Sequence, residues 1–281
     1  MLQRTITSAV ILALTLVLVI FSGYIVYPIA LAILSMVAVM EILKVMGSHK
    51  RWLLSIPACI LSGSFPILAY FVTPDIAIGF MLTVFCTLFV YLLCLMAISI
   101  FSKGKISFRA ISEIFVSVIY VTVSFTSLSL LRYLNKETGA FNIVLVFMVA
   151  WACDVFAYLV GSLIGKHKLI PEISPKKTVE GAIGGVVFTV IFCLAYGFVL
   201  DKVVDNLSVN YIFLAICGAV LPIVSQLGDL TASLIKREYG VKDYGKIFPG
   251  HGGVMDRFDS VIAVSTILLI LCILFPPFAI I

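Results

Sequence analysis

Nine stretches of the sequence are almost wholly apolar, at about 7–22, 25–45, 53–73, 77–101, 114–131, 143–164, 182–200, 211–235 and 259–280. Most are close to the length a helix needs to cross a hydrocarbon layer, about 20 residues. A backbone in lipid must satisfy its own hydrogen bonds, so the pattern predicts an all-α, polytopic membrane protein with about nine spans. The first span is short and is expected to form a tight helical hairpin with the second across Ser22, Gly23 and Tyr24.

Composition agrees with this pattern. Of 281 residues, 62% are hydrophobic and 12% charged, and the mean hydropathy is +1.22. A soluble globule cannot hide so much apolar side chain behind so little polar surface. Arg4 precedes an apolar run that lacks a small-residue cleavage site, which predicts a retained span rather than a signal peptide. The seven cysteines all fall in apolar segments without a CxxC pair, so neither disulfides nor a zinc site is indicated. No fixed-period repeat and no long linker marks off a soluble domain.

The basic residues give an orientation. With the N-terminus in the cytoplasm, sixteen of the 19 Lys and Arg residues fall on the inner side, and only Arg132, Lys136 and Lys202 lie outside. The expected layout is residues 1–140 as about five N-terminal spans and 141–281 as a catalytic membrane region. The C-terminus lies outside, and two charged cytoplasmic loops cover 165–181 and 236–258. The basic segment 102–113 is expected to be a helix lying on anionic headgroups.

Candidate chemistry gathers around the eighth span. Asp229 lies in apolar sequence, where an ionised carboxylate is costly unless paired or bound to metal. Helical spacing puts Gln226, Asp229, Ser233 and Lys236 on one stripe leading to Arg237. Pro222 is expected to kink this helix. Asp256, Asp259 and Ser260 share a face at the start of the ninth span, where a helix N-terminus favours negative charge. Asp229 and Asp256 can converge on a divalent ion, and magnesium suits such oxygen ligands and shared phosphates.

Between these spans, Gly245, Pro249, Gly250, Gly252 and Gly253 break regular helix, and the glycines let backbone N–H groups approach phosphate oxygens. Lys242, Lys246, His251 and Arg257 alternate with them. His251 is read as a phosphate hydrogen-bonder or loop-shaping residue. Earlier, Lys176, Lys177 and Thr178 lead into a helix with Glu180 in its first turn, a second candidate phosphate site. Asp154 shares a face with Tyr158, Gly161 and Gly165, and either a metal or a Tyr or Lys partner would account for it.

Residues 233–259 resemble the signature of the phosphatidate cytidylyltransferases (CDP-diacylglycerol synthases). Ser233, Lys236, Arg237, Lys242, Asp243, Gly245, Pro249, His251, Gly252, Gly253, Asp256, Arg257 and Asp259 all fall on fixed positions of that pattern. Gln226 to Asp229 and Ser174 to Gly181 resemble further family segments, whereas the first 140 residues match only in general character. Val179 stands where the family often has an aromatic residue, and Ala232 where an acid is frequent.

The resemblance implies cytidylyl transfer from CTP to phosphatidate with magnesium, in a homodimer of the bacterial plasma membrane. Paired metal ions would be held by Asp229 and Asp256, with Asp259 beside them. It also implies Lys236, Arg237, Lys242, Asp243, His251 and Arg257 as catalytic groups. Ser233, Lys176, Lys177, Thr178, Gly252 and Gly253 would contact substrate. Membrane lipids are partners and nucleic acid is not. Two other readings remain at this point: a secondary transporter using Asp154 and Asp229, which predicts inverted repeats, and a CTP-dependent kinase of a lipid alcohol, which would move the γ-phosphate instead.

Overall fold

The computed structural model describes residues 2–103 and 105–280. The described residues form nine α-helices and two small two-stranded antiparallel sheets, with three short 3-10 turns. The helices are α1 (Leu2–Ile20), α2 (Val26–Val45), α3 (Trp52–Leu68), α4 (Ala77–Phe101), α5 (Phe108–Tyr133), α6 (Gly139–Ile164), α7 (Val179–Val203), α8 (Tyr211–Glu238) and α9 (Met255–Leu274). Eight of these are long and apolar enough to cross a membrane, and α1 with the 3-10 turn that follows it contains a shorter apolar stretch, Ala9–Gly23. The all-α polytopic expectation therefore holds.

The chain divides into two compact units: residues up to Asn135 with Tyr244–Val254, and Lys136–Asp243 with the residues from Met255 onward. In the first unit, α5 is the central helix. Its Ile111, Ile114, Val118, Val121, Phe125 and Leu128 are fully buried at alternating spacings of three and four, which is one helical face. Ser129 hydroxyl donates to the Pro66 carbonyl of α3 at 2.7 Å. α4 is different. Ile78, Leu82, Phe85, Phe89 and Leu93 form an exposed stripe of large apolar side chains, a surface suited to lipid rather than water.

In the second unit, α6 and α7 meet through small residues. An added Cβ at Gly184 would lie 2.6 Å from the Val160 side chain, and one at Gly185 would lie 3.1 Å from the Cys153 carbonyl oxygen. α8 runs beside both. Strands β3 (Leu207–Val209) and β4 (Phe278–Ile280) pair antiparallel. Phe278, buried, packs edge-on against Phe141 and Tyr196.

Several expectations change. Residues 165–181 are not an open loop: β1 (Lys168–Ile170) and β2 (Ser174–Thr178) form an antiparallel hairpin. Thr178 caps α7, its hydroxyl oxygen accepting from the Gly181 N–H at 3.2 Å. The Glu180 carboxylate accepts from the His167 N–H at 3.2 Å and sits 2.6 Å from its Nδ1, closing the base of the hairpin. The segment 102–113 is not a separate surface helix, because Ser107 caps α5, which starts at Phe108; Gly104 lies outside the described residues. The last apolar stretch stops as helix at Leu274, and its remainder turns back as β4.

Candidate functional site

α8 brings its polar stripe into the second unit, and the neighbouring elements supply partners for it. Gln226 is buried and bridges helices: its Nε2 donates to the Ala182 carbonyl of α7 at 3.2 Å and to Cys153 Sγ of α6 at 3.5 Å. One turn on, Asp229 receives Lys177 from β2, with Nζ and Oδ2 2.5 Å apart. Both side chains are about a quarter exposed, yet the ammonium nitrogen itself is sealed from solvent. Ser233 hydroxyl donates to the other oxygen of Asp229 at 3.4 Å. The end of the helix is tied to the hairpin by Arg237, whose Nε donates to the Ile173 carbonyl at 3.4 Å.

α9 approaches α8 backbone to backbone. At Gly228 an added Cβ would lie 2.6 Å from the carbonyl oxygen of Asp259. This contact brings the first turn of α9 to the level of Asp229. There Lys236 Nζ donates to Asp256 Oδ1 at 2.8 Å, in a pair whose side chains are 13% and 3% exposed. Asp259 is also buried and accepts from the Ser260 N–H at 2.8 Å.

A cavity of about 320 Å³ opens beside this stripe, lined by Asp154, Lys176, Lys177, Thr178, Gln226 and Asp229, with Tyr158 and small residues of α6 and α7. Asp154, on α6, interacts electrostatically with Asp229, Lys177 and Arg257. Asp259 in turn feels Asp229, Asp154 and Lys236. Three carboxylates from three helices thus act on one another, Asp154 and Asp229 on the cavity wall and Asp259 beyond it, with lysines interleaved. Such an array suits an anion that arrives with a counter-cation, since neither charge sign alone would be stable there.

The structure brings together Lys176, Lys177, Thr178, Asp229, Ser233, Lys236, Asp256 and Asp259 of the expected site residues. Thr178 has one lone pair of its hydroxyl oxygen committed to the cap, which leaves its proton and a second lone pair to offer a ligand. Arg257 is exposed on the first turn of α9. Lys242 and Asp243 are exposed in the segment after α8 and do not line the cavity. His251, Gly252 and Gly253 belong to the first unit. Asp154 gains a definite place on the cavity wall, against Lys177 and Asp229. Its signal in the sequence is an acid inside an apolar span.

Among the described residues no group of three or more His, Cys, Asp or Glu is arranged to hold a metal ion by itself.

A family model described as the cytidylyltransferase family matches residues 2–275. The chain is similar to a phosphatidate cytidylyltransferase of Staphylococcus haemolyticus, at 41% identity over 179 residues, which is 64% of this chain and 65% of that protein. It is also similar to the phosphatidate cytidylyltransferase of Staphylococcus aureus strain COL, at 42% identity over 175 residues, 62% of this chain and 64% of that one. The chain therefore spans just under two thirds of the length of the curated relatives it matches.

Proposed function

The chain belongs to the cytidylyltransferase family, and from that premise we propose that it transfers the cytidylyl group of CTP to phosphatidate, giving CDP-diacylglycerol and pyrophosphate. The observation that carries this reading is the second-unit cavity. Its wall holds the Lys177–Asp229 pair and Asp154 among helices otherwise suited to lipid. A diacyl lipid substrate needs access from the membrane, and its phosphate and the nucleotide triphosphate need cations. The lysines of the wall answer the second need, and the exposed apolar side chains of α6 and α7, among them Leu163 and Ile183, support the first.

In the proposed reaction a phosphate oxygen of phosphatidate attacks the α-phosphorus of CTP in line. A new P–O bond forms, the bond from the α-phosphorus to the oxygen bridging to the β-phosphate breaks, and pyrophosphate leaves with that electron pair. A phosphate monoester has a second pKa near about 6, so the nucleophile is already largely dianionic at neutral pH and no protein base is required. The protein's contribution is positioning and charge neutralisation. Lys177, oriented by Asp229, offers its ammonium to a phosphate at the cavity wall. Lys236, held by buried Asp256, supplies a second fixed cation, and a preorganised cation costs no rearrangement when charge moves to the leaving group.

Arg237 and Arg257 add positive charge at the outer side of the stripe, with Lys176. For Lys242, Asp243, His251, Gly252 and Gly253 the proposed substrate contacts rest on the family pattern. Asp229 and Asp259, with Asp154 close by, have the oxygen donors magnesium takes, and a divalent cation would relieve their mutual repulsion. In this arrangement Asp256 serves Lys236 more directly than it serves metal. Bound magnesium would supply Lewis-acid neutralisation of the phosphate oxygens.

The same reading puts the site on the cytoplasmic side of a bacterial cell membrane, where CTP is found, and makes the active form a homodimer. Purified protein incubated with phosphatidate, magnesium and CTP labelled at either the α- or the γ-phosphate tests the reaction. Label in the lipid from α-labelled CTP, with pyrophosphate released, is expected. Lipid labelling from γ-labelled CTP alone would replace this reading with kinase chemistry.

A further inference from the structure

The only charged residues of α2 are Glu41 and Lys44, and Glu41 is buried, 6% exposed. A carboxylate in such a place requires hydrogen bonds to offset its lost hydration. One comes from the chain's signature segment, which folds in the same unit: Glu41 Oε1 accepts from the Val254 N–H at 3.1 Å. The carboxylate also lies against two glycines. A Cβ added at Gly245 or at Gly253 would run into it, and one at Gly245 would come within 3.1 Å of the Gly253 Cα. The two ends of the loop therefore close around one side chain.

Between those ends the backbone is tightly folded. Phe248 N–H donates to the Gly252 carbonyl and His251 N–H to the Phe248 carbonyl, both at 2.9 Å. Gly250 and Gly252 hold φ of 75° and 85°, which side-chain-bearing residues rarely adopt. Thr7 hydroxyl donates to the Pro249 carbonyl at 3.1 Å. The turn is short and internally bonded, so its orientation is set where its two ends are gripped.

We propose that Glu41 is the positioning residue of this turn. Its carboxylate accepts from the Val254 N–H at the exit of the turn and occupies the space left by Gly245 and Gly253, which fixes the direction of His251 and of the Gly252 and Gly253 N–H groups. The functional side of this rests on the reading that the turn contacts phosphate. The grip on the turn does not, and it can be measured separately.

The variants are Glu41→Ala, Glu41→Gln, Gly253→Ala and the Glu41→Ala/Gly253→Ala double, in the full chain in detergent. Amide hydrogen exchange is followed in peptides covering 244–254, and CTP turnover in parallel. In Glu41→Ala, exchange at Val254 should quicken about 10- to 100-fold, the range expected for losing a hydrogen bond to a charged acceptor. The KM for CTP should rise by about tenfold or more with a smaller change in kcat, since substrate binding is what a misdirected turn loses first. Glu41→Gln, which keeps an acceptor oxygen in place, should restore both to within about threefold of the parent.

Gly253→Ala should resemble Glu41→Ala, and the double variant should be no worse than Glu41→Ala alone, because truncation makes room for the added methyl. Glu41→Gln as impaired as Glu41→Ala would overturn the proposal in favour of a requirement for charge. Unchanged exchange at 244–254 in Glu41→Ala, or losses that multiply in the double variant, would also overturn it. If Glu41→Ala does not fold, Glu41→Asp, which withdraws the carboxylate by one methylene, takes its place. If the parent fails to use CTP, the proposed reaction falls, and the exchange data still decide the role of Glu41.

Discussion

Two lysine–aspartate pairs stand on the same stripe, and their different burial predicts opposite outcomes for what looks like the same mutation. Asp229 pairs with Lys177 at 2.5 Å with both side chains about a quarter exposed, whereas Asp256 pairs with Lys236 at 2.8 Å with side chains 3% and 13% exposed. At an effective dielectric of about 20, the gross attraction of either pair is roughly 6 kcal/mol. Water reaches the Asp229 side chain though not the Lys177 nitrogen, and this partial hydration offsets much of the attraction, so Asp229→Asn should cost less, about 1–2 kcal/mol of stability. Asp256→Asn leaves a buried ammonium facing an amide and should cost about 3–5 kcal/mol.

Activity should rank the other way per unit of stability lost. Asp229→Asn removes a cavity-wall carboxylate and releases Lys177, and should lower kcat by about 10²- to 10³-fold, equivalent to about 3–4 kcal/mol of transition-state stabilisation. Thermal unfolding in detergent and initial-rate CTP turnover on the same preparations provide the comparison. The reasoning is refuted if Asp229→Asn keeps more than about a tenth of parental turnover, or if it unfolds as early as Asp256→Asn.

Other consequences are simpler to state. Gly228→Ala forces a methyl toward the Asp259 carbonyl, 2.6 Å from where the Cβ must sit; overpacking of this sort costs about 1–3 kcal/mol, and unfolding midpoints with CTP turnover should fall together. Thr178→Ala deletes the cap of α7 and should cost about 1 kcal/mol, while Thr178→Ser stays near the parent in the same thermal assay. Chelation with EDTA should abolish CTP-dependent product, and added magnesium should restore it; full turnover in excess chelator would remove the metal from the proposal.

The spans were legible because lipid solvation selects composition over a long window. The apolar stretch 77–101 coincides with α4, and 182–200 lies inside α7 (Val179–Val203). The hairpin β1–β2 was not legible: its strands are three and five residues long, with no alternation for a period of two to register. Residues 226, 229, 233 and 236 could be placed on one stripe because a helix fixes their phase. The partner of Asp229 could not be chosen the same way, since Lys177 arrives from a strand 52 positions earlier and only tertiary packing joins them. Glu41 carries the same signal as Asp154, an acid in an apolar span, but nothing around it in the sequence points to a turn more than 200 residues away.

The bare outer face of α4 has a mechanical consequence. At 1.5 Å per residue, its 25 residues extend about 37 Å, more than the roughly 30 Å of a typical hydrocarbon layer. A helix that overshoots its solvent leans over or stretches the lipids around it, at fractions of a kcal/mol per ångström. Bilayer thickness should therefore act as a physical load on the first unit. Under the proposed reaction, whose product is a membrane-lipid precursor, the first unit would then feel, through α4, the acyl-chain length of the surrounding membrane.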